Sequence, residues 1–324
     1  MQKIILVQLG SPKSPQVDDV RAFLKEFLSD PRLVDLPAIV WRVILYLFIL
    51  PFRSPKVAKL YRLIWSDQGF PLTSYSELFA KKLQQELEQP VVLLYRYGDN
   101  SIRDFWKQWD QECAPQQSES WLVIPMYPQY CECTTASVFD VFYQEGQKRV
   151  NLPQISFVNH FYQSAAYLDS CAQVINNKLE KIDQQIDLLL LSFHGVPEYK
   201  IKVKGDPYYY QCLDTAKLLA ARLSQFDPAN IQVGFQSRMG RTKWVTPYTS
   251  ETVAEQIAQG AKNIAIFCPS FTVDCLETTV EIGVELKNEA AKKGATLHLI
   301  PSLNCDQQWI EHFAALIQQK LSSR

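Results

Sequence analysis

Residues 187–197 read DLLLLSFHGVP: four consecutive leucines, then Ser192, Phe193 and His194, then a Gly-Val-Pro turn. A short, continuously apolar run of this kind is a strand covered on both faces, as in a parallel sheet. The histidine falls at its carboxyl end, where open α/β sheets bind their ligands. Seven more runs resemble it: KIILVQL (3–9), VVLLYRY (91–97), SWLVIPMY (120–127), ISFVN (155–159), IQVGFQS (231–237), NIAIFCP (263–269) and TLHLI (296–300). Amphipathic stretches lie between them, among them 74–88, 167–182, 214–225 and 249–259. Alternating strands and helices imply parallel sheets. Eight strands could close a barrel, but the insertion at 17–74 is long and mostly helical, and 159–187 reads as a bridge between halves. Two doubly wound α/β domains of four strands each are therefore expected. The first covers 1–160 and the second 161–303, with a final helix within 304–324 free to pack on either half.

The chain has 324 residues, with 33 Lys+Arg against 34 Asp+Glu. That balance gives no basic surface for nucleic acid. The eight cysteines are Cys113, Cys131, Cys133, Cys171, Cys212, Cys268, Cys275 and Cys305; no C-x-x-C pair occurs. This spacing suits neither a zinc site nor a disulfide framework, so reduced thiols are expected. The N-terminus, MQKIILVQLGSP, enters a strand without signal-peptide architecture, and a cytoplasmic location follows. One apolar run, VILYLFILPF (43–52), is bracketed by Arg42 and Arg53. At ten residues it is half the length of a membrane-spanning helix, which needs about 20. It is either a core helix or an exposed, interfacial one.

The strand ends carry the chemistry. They are Leu9-Gly10-Ser11-Pro12, Tyr95-Arg96-Tyr97, Tyr127-Pro128-Gln129-Tyr130, Ser192-Phe193-His194-Gly195, Gln236-Ser237-Arg238 and Pro269-Ser270-Phe271-Thr272. Neither G-x-G-x-x-G nor a P-loop occurs, so no nucleotide site is supported. Of the four histidines, His298 sits mid-strand, His312 lies on the last helix and His160 follows a strand. Only His194 combines a strand end with a turn. Asp274, Glu277, Glu281 and Glu285, spaced i, i+3, i+7 and i+11, fall on one side of a helix expected after Phe271. A solvated face is the commoner explanation for such a row. Against it, the helix starts at a strand end, and Lys partners at i+4 are missing. A row of carboxylates suits a cation path or a proton relay. Aromatic residues, including Tyr61, Trp65, Phe70, Tyr97, Tyr127, Phe235 and Phe271, cluster near strand ends and the insertion. Such residues are usually core, but they also suit a flat apolar ligand.

LSFHGVP (191–197), GDPYYYQC (205–212), FQSRMGRTKWVTPYT (235–249), CPSFTVDCLETTVEI (268–282) and YPQYCECTT (127–135) resemble ferrochelatases in sequence and order. So do LGSP (9–12), FLKEFLSDPRLVDLP (23–37) and IWSDQGFPL (64–72), and the resemblance, nearest to the Gram-negative bacterial type, spans essentially the whole chain. It implies a chelatase-like fold of two Rossmann-like domains with a porphyrin held between them. The implied reaction inserts Fe2+ into protoporphyrin IX, releasing two protons and forming protoheme. It implies His194, Glu277 and Asp274 as catalytic residues, and metal contacts from His194 and Glu277 extended by Glu281 and Glu285. The implied porphyrin contacts are Leu9, Tyr61, Arg96, Tyr97, Tyr127, Phe235 and Phe271. The segment at about 33–52 becomes an apolar lip, offering peripheral membrane contact. Two positions depart from many relatives: Cys275, where histidine is common, and Phe235, where tryptophan is common. Some relatives hold an iron–sulfur cluster with C-terminal cysteines. Here only Cys305 stands in that region, so no cluster and no tightly bound cofactor are expected, with Fe2+ as substrate.

Metallation must remove two pyrrole protons, and distorting a flat porphyrin exposes its nitrogen lone pairs, with strain supplied by binding energy elsewhere. An imidazole suits proton abstraction or transient ligation of the metal. Glu277 suits passing the proton onward or holding the iron. A related chelatase acting on sirohydrochlorin would need a basic cleft for its many carboxylates. A porphyrin carrier would need the aromatic wall but not the acidic row.

Overall fold

The structure is a computed structural model that describes residues 2–112, 119–240 and 242–322; Cys113 lies outside the described residues. The chain divides into two compact units at His160/Phe161.

In the first unit, β1 (Gln2–Gln8), β2 (Val91–Tyr95), β3 (Ser120–Pro125) and β4 (Gln154–Phe157) form one parallel sheet in the order β2-β1-β3-β4. Burial on both faces explains the unbroken apolar run of β1, where Ile4, Ile5, Leu6 and Val7 are all buried. On one face Ile5, Val7 and Val123 meet an aromatic cluster built on Trp121, Trp106 and Trp109. The Trp106 and Trp121 rings lie 4.7 Å apart in an edge-to-face arrangement.

In the second unit, β5 (Leu188–His194), β6 (Ile231–Gln236), β7 (Asn263–Phe267) and β8 (Thr296–Leu299) repeat that topology in the order β6-β5-β7-β8. The strand order reverses between β5 and β7, and such a switch point opens a crevice beyond the strand ends. The C-terminal helix (Gln307–Ser322) belongs to this unit, which settles the choice the sequence left open. Trp309 and Phe313 anchor it: Phe313 packs 5.5 Å from Phe161, and Trp309 lies 6.2 Å from Tyr167 on the helix Ala165–Leu179.

The insertion in the first unit holds a continuous helix, Ala38–Ile64, so the apolar run 43–52 is the middle of a 27-residue element. A π-turn at Leu45–Ile49 precedes Pro51 and Pro55, which lack the N–H groups a regular helix needs. Leu45, Leu50 and Ala58 are buried. The opposite face is not: Ile39 is 81% exposed, Leu47 62% and Phe52 68%. A wholly buried core helix is thereby excluded. By length and composition alone, Ala38–Ile64 is apolar enough to cross a membrane.

Gly10 closes the turn after β1 with φ +97°, and an added Cβ would lie 2.0 Å from the Tyr97 carbonyl oxygen. Gly10→Ala is therefore expected to destabilise the protein by more than about 1 kcal/mol, combining backbone strain with a clash. Urea unfolding measures this, and an unchanged midpoint would contradict it.

Candidate functional site

His194 ends β5 and is half-buried. Its backbone N–H donates to Ser270 Oγ at 3.0 Å, from the turn after β7. Its Nδ1 lies 2.6 Å from the Gly195 carbonyl oxygen. A carbonyl only accepts, so Nδ1 carries a proton, and in the neutral ring the Nε2 lone pair is free for a proton or a metal ion. The ring stands 6.5 Å from Trp244 and 6.3 Å from Phe271, centroid to centroid. Gly195 donates its N–H to the Gln236 carbonyl at 2.8 Å. A Cβ there would meet that oxygen at 2.8 Å and the Trp244 ring at 3.1 Å.

The acidic row differs from the sequence expectation in two ways. Asp274 precedes the helix, and its carboxylate accepts from the Ser302 N–H at 3.1 Å, Asn304 Nδ2 at 2.7 Å and Thr278 Oγ1 at 3.2 Å. It clamps the loop after β8 to the start of the helix, rather than joining the row. The helix itself, Glu277–Leu286, is wound as a π-helix before continuing as α-helix through Lys287–Lys292. The wider turn brings every fourth residue back to nearly the same side, so Glu277, Glu281 and Glu285 still share one stripe. Glu277 and Glu281 are half-buried, whereas Glu285 is exposed.

Glu281 is held on both oxygens by Ser237, whose N–H donates to Oε1 at 2.7 Å and whose hydroxyl donates to Oε2 at 2.5 Å. Burial pushes the Glu281 carboxyl above its ordinary range; hydrogen bonds from Ser237, and the attraction of His194 when its ring takes up a second proton, only partly oppose that, while Glu277 adds repulsion. The three side chains thus lie within electrostatic reach. Among the described residues no group of three or more His, Cys, Asp or Glu side chains is close enough to hold a metal ion, so His194, Glu277, Glu281 and Glu285 do not form a ready-made cage. Imidazole and carboxylate remain suitable transient partners for a divalent cation. Cys275 is buried; burial first, and then the Glu277 charge, push its thiol well above the ordinary range.

Other expected porphyrin contacts are engaged within their own unit. Phe235 is 1% exposed and packs 5.4 Å from Tyr209 and 6.1 Å from Phe193, so it is core and not an open wall. Arg96 pairs with Asp30 at 2.5 Å and donates to Ser137 Oγ at 2.7 Å. Tyr97 is 1% exposed and donates to the same Asp30 oxygen at 2.7 Å. Burial tends to raise the Asp30 pKa, but Ser137, Arg96, Tyr97 and the Arg32 N–H together hold it below the usual carboxylate range. Arg96 and Tyr97 thus belong to a buried knot centred on Asp30. Tyr61 is buried against Phe70, with rings 4.7 Å apart. Leu9 is half-buried after β1. The Tyr127 hydroxyl is buried without a hydrogen-bond partner among the described residues, and burial pushes its phenol up. Asp30 and Trp244 were not singled out from the sequence, and Gln236, Ser237 and Ser270 were named there only as members of strand ends, without a role.

The ferrochelatase family model matches residues 2–321. A ferrochelatase of Aeromonas hydrophila is 40% identical over 325 residues, covering 98% of each chain. A coproporphyrin III ferrochelatase of Streptococcus mutans is 37% identical, again over 98% of each. Among solved structures, SirB from Bacillus subtilis with Fe3+ shares the fold, with a TM-score of 0.56 at 10% identity, covering 98% of this chain and 94% of that one.

Removing the Asp30 carboxylate leaves Arg96 buried without its counter-charge, so Asp30→Ala is expected to cost about 3–5 kcal/mol at neutral pH. The folded pKa of Asp30 lies below its unfolded value, near 3.8. The wild-type advantage should therefore be fully present above about pH 5 and shrink as pH falls below about 4. Denaturant unfolding of both proteins against pH measures this. A small difference at neutral pH, or one that grows on acidification, would contradict it.

Proposed function

The chain belongs to the ferrochelatase family, and from that premise we propose that it inserts Fe2+ into protoporphyrin IX, releasing two protons and forming protoheme. The observation that carries this reading is the contact of His194 Nδ1 with the Gly195 carbonyl, which leaves Nε2 as the accepting nitrogen of the neutral ring, within electrostatic reach of a carboxylate-bearing helix. Each pyrrole N–H must surrender a proton as the iron–nitrogen bonds form. An imidazole titrates near neutrality in water and accepts such a proton without a large energetic mismatch. Glu277 and Glu281 offer negative charge for the incoming cation and a route for the outgoing proton. Glu285, exposed on the same helix, is the outermost point of that path.

A porphyrin with few carboxylates fits the first unit best, because the charge of Arg96 is already taken up by Asp30. Protoporphyrin has two carboxylates and coproporphyrin III has four. Comparing kcat/KM for the two with the purified protein decides between them.

We assign the exposed face of Ala38–Ile64 to peripheral contact between a cytoplasmic protein and an anionic membrane surface. Between residues 36 and 66 there are five basic side chains and no acidic one. Of these, Arg42, Lys56, Lys59 and Arg62 are exposed beside the apolar face. Such a combination binds anionic interfaces by apolar burial and charge together. Replacing Ile39, Leu47 and Phe52 together with Ser should weaken co-sedimentation with phosphatidylglycerol vesicles at least about tenfold. Equal partitioning of variant and wild type would remove the assignment.

His194→Ala should lower the rate of Fe2+ or Zn2+ insertion by about 10²–10⁴-fold, the usual cost of losing a positioned base, while porphyrin titration still saturates. Near-normal turnover in the variant would overturn this role for His194. A wild-type protein that binds porphyrin but metallates none of it would mark a carrier, and the proposal would fail.

A further inference from the structure

The helix Ala38–Ile64 starts without packing to guide it: none of its first residues, Ala38–Ile44, is buried, and packing begins only at Leu45. Trp41 Nε1 donates to the Leu28 carbonyl at 2.6 Å, which ties the start to the helix Val17–Leu28. The direction of the start is then set at its root, the turn 29–34. There the Asp30 carbonyl accepts from the Leu33 N–H at 3.0 Å, and Asp30 Oδ1 accepts from the Arg32 N–H at 2.8 Å. The turn is fastened to the helix Ser137–Gly146 at two points, three residues apart on one face. At the first, the buried Asp30 carboxylate accepts from the Ser137 hydroxyl at 2.5 Å. At the second, the Arg32 guanidinium donates to both Asp140 oxygens, from Nε at 2.7 Å and from Nη2 at 2.9 Å. Glu132 adds a weaker contact, 3.7 Å from Nη1.

We infer that Arg32 is a positioning residue for porphyrin uptake, its two-point hold on Asp140 fixing the direction in which the apolar insertion leaves the first unit. The inference rests on the metal-insertion reading of this protein. The two fastenings differ in kind. Asp30 is buried with its partners, whereas the Arg32 and Asp140 side chains keep 37% and 32% of their surface in water. The second pair therefore breaks at modest cost and leaves the first in place. One fastening alone lets the chain pivot, because residues 31–37 contain no helix or strand. A guanidinium fork seated on both oxygens of a carboxylate fixes orientation as well as distance, and so resists that pivot. An insertion already held at one angle receives an apolar ligand without an ordering cost at each encounter.

The test combines steady-state Zn2+ insertion with amide hydrogen exchange on the full chain, for wild type, Arg32→Ala, Asp140→Asn and the double variant. Each single variant should raise KM for porphyrin about fivefold, the size of one well-formed, half-exposed ion pair, with kcat and KM for the metal unchanged. Amides in 41–48 should exchange faster in the same variants, while those of β1 stay as in wild type. The double variant should be no worse than either single one, as for two partners in one contact. A fall in kcat with porphyrin KM unmoved is what partial unfolding would give, and it would overturn the inference. Additive defects, or unchanged exchange in 41–48, would overturn it too. Asp140→Asn keeps the side-chain shape, so the test stands even where Arg32→Ala fails to fold. Wild type that metallates no porphyrin would remove the functional reading itself; active wild type with unaffected single variants would remove this inference alone.

Discussion

The 2.6 Å contact between His194 Nδ1 and the Gly195 carbonyl exists because residue 195 has no side chain. A Cβ at that position would press on the Gln236 carbonyl and on the Trp244 ring, and the turn would have to open. The turn is held in place on two sides, by the Gly195 N–H on β6 and by the His194 N–H on Ser270 after β7. The Ser270 anchor lies at the strand-order reversal of the second sheet, and the Gln236 anchor lies on the opposite neighbour of β5. The chemistry of the imidazole is therefore a consequence of sheet topology: the fold fixes the backbone, the backbone carbonyl fixes the tautomer, and the tautomer leaves Nε2 bare.

Much of the fold was legible because strands buried on both faces have an apolar signature that few other elements share. LLLL before Ser192 and IILV in β1 mark central strands without ambiguity, and each unit's four strands lie where the runs predicted, within two residues at their ends. The duplicated topology was not legible, since the halves share strand order but no visible sequence repeat. The place of the C-terminal helix was undecided for a related reason. Its amphipathic pattern says that it packs, but the partner is set by where Phe161 and Tyr167 meet Trp309 and Phe313 in space.

The position of His194 was legible, where strand end and turn coincide, and the course of the acidic helix less so. The row was spaced on a regular α-helical repeat, and a π-helix has no residue signature strong enough to displace that assumption. Asp274 looked like a member of the row because its spacing continues the repeat, although it precedes the helix and its carboxylate ties down residues 302–304. Arg96 and Tyr97 looked like free anchors because nothing in the sequence shows that Asp30, some 66 residues earlier, returns to neutralise them. Ser237 was named only as part of a strand end and given no role, because left-handed backbone is usually announced by glycine, and here it is not.

The tautomer of His194 is the hinge of the mechanism and can be observed directly. Nitrogen-resolved NMR of the ¹⁵N-labelled protein, at a pH where the ring is neutral, distinguishes a protonated ring nitrogen from a bare one. The account predicts a protonated Nδ1 and a bare Nε2 for His194. A proton on Nε2 with a bare Nδ1 would contradict it, since the nitrogen offered to porphyrin and metal could then neither accept a proton nor bind an ion.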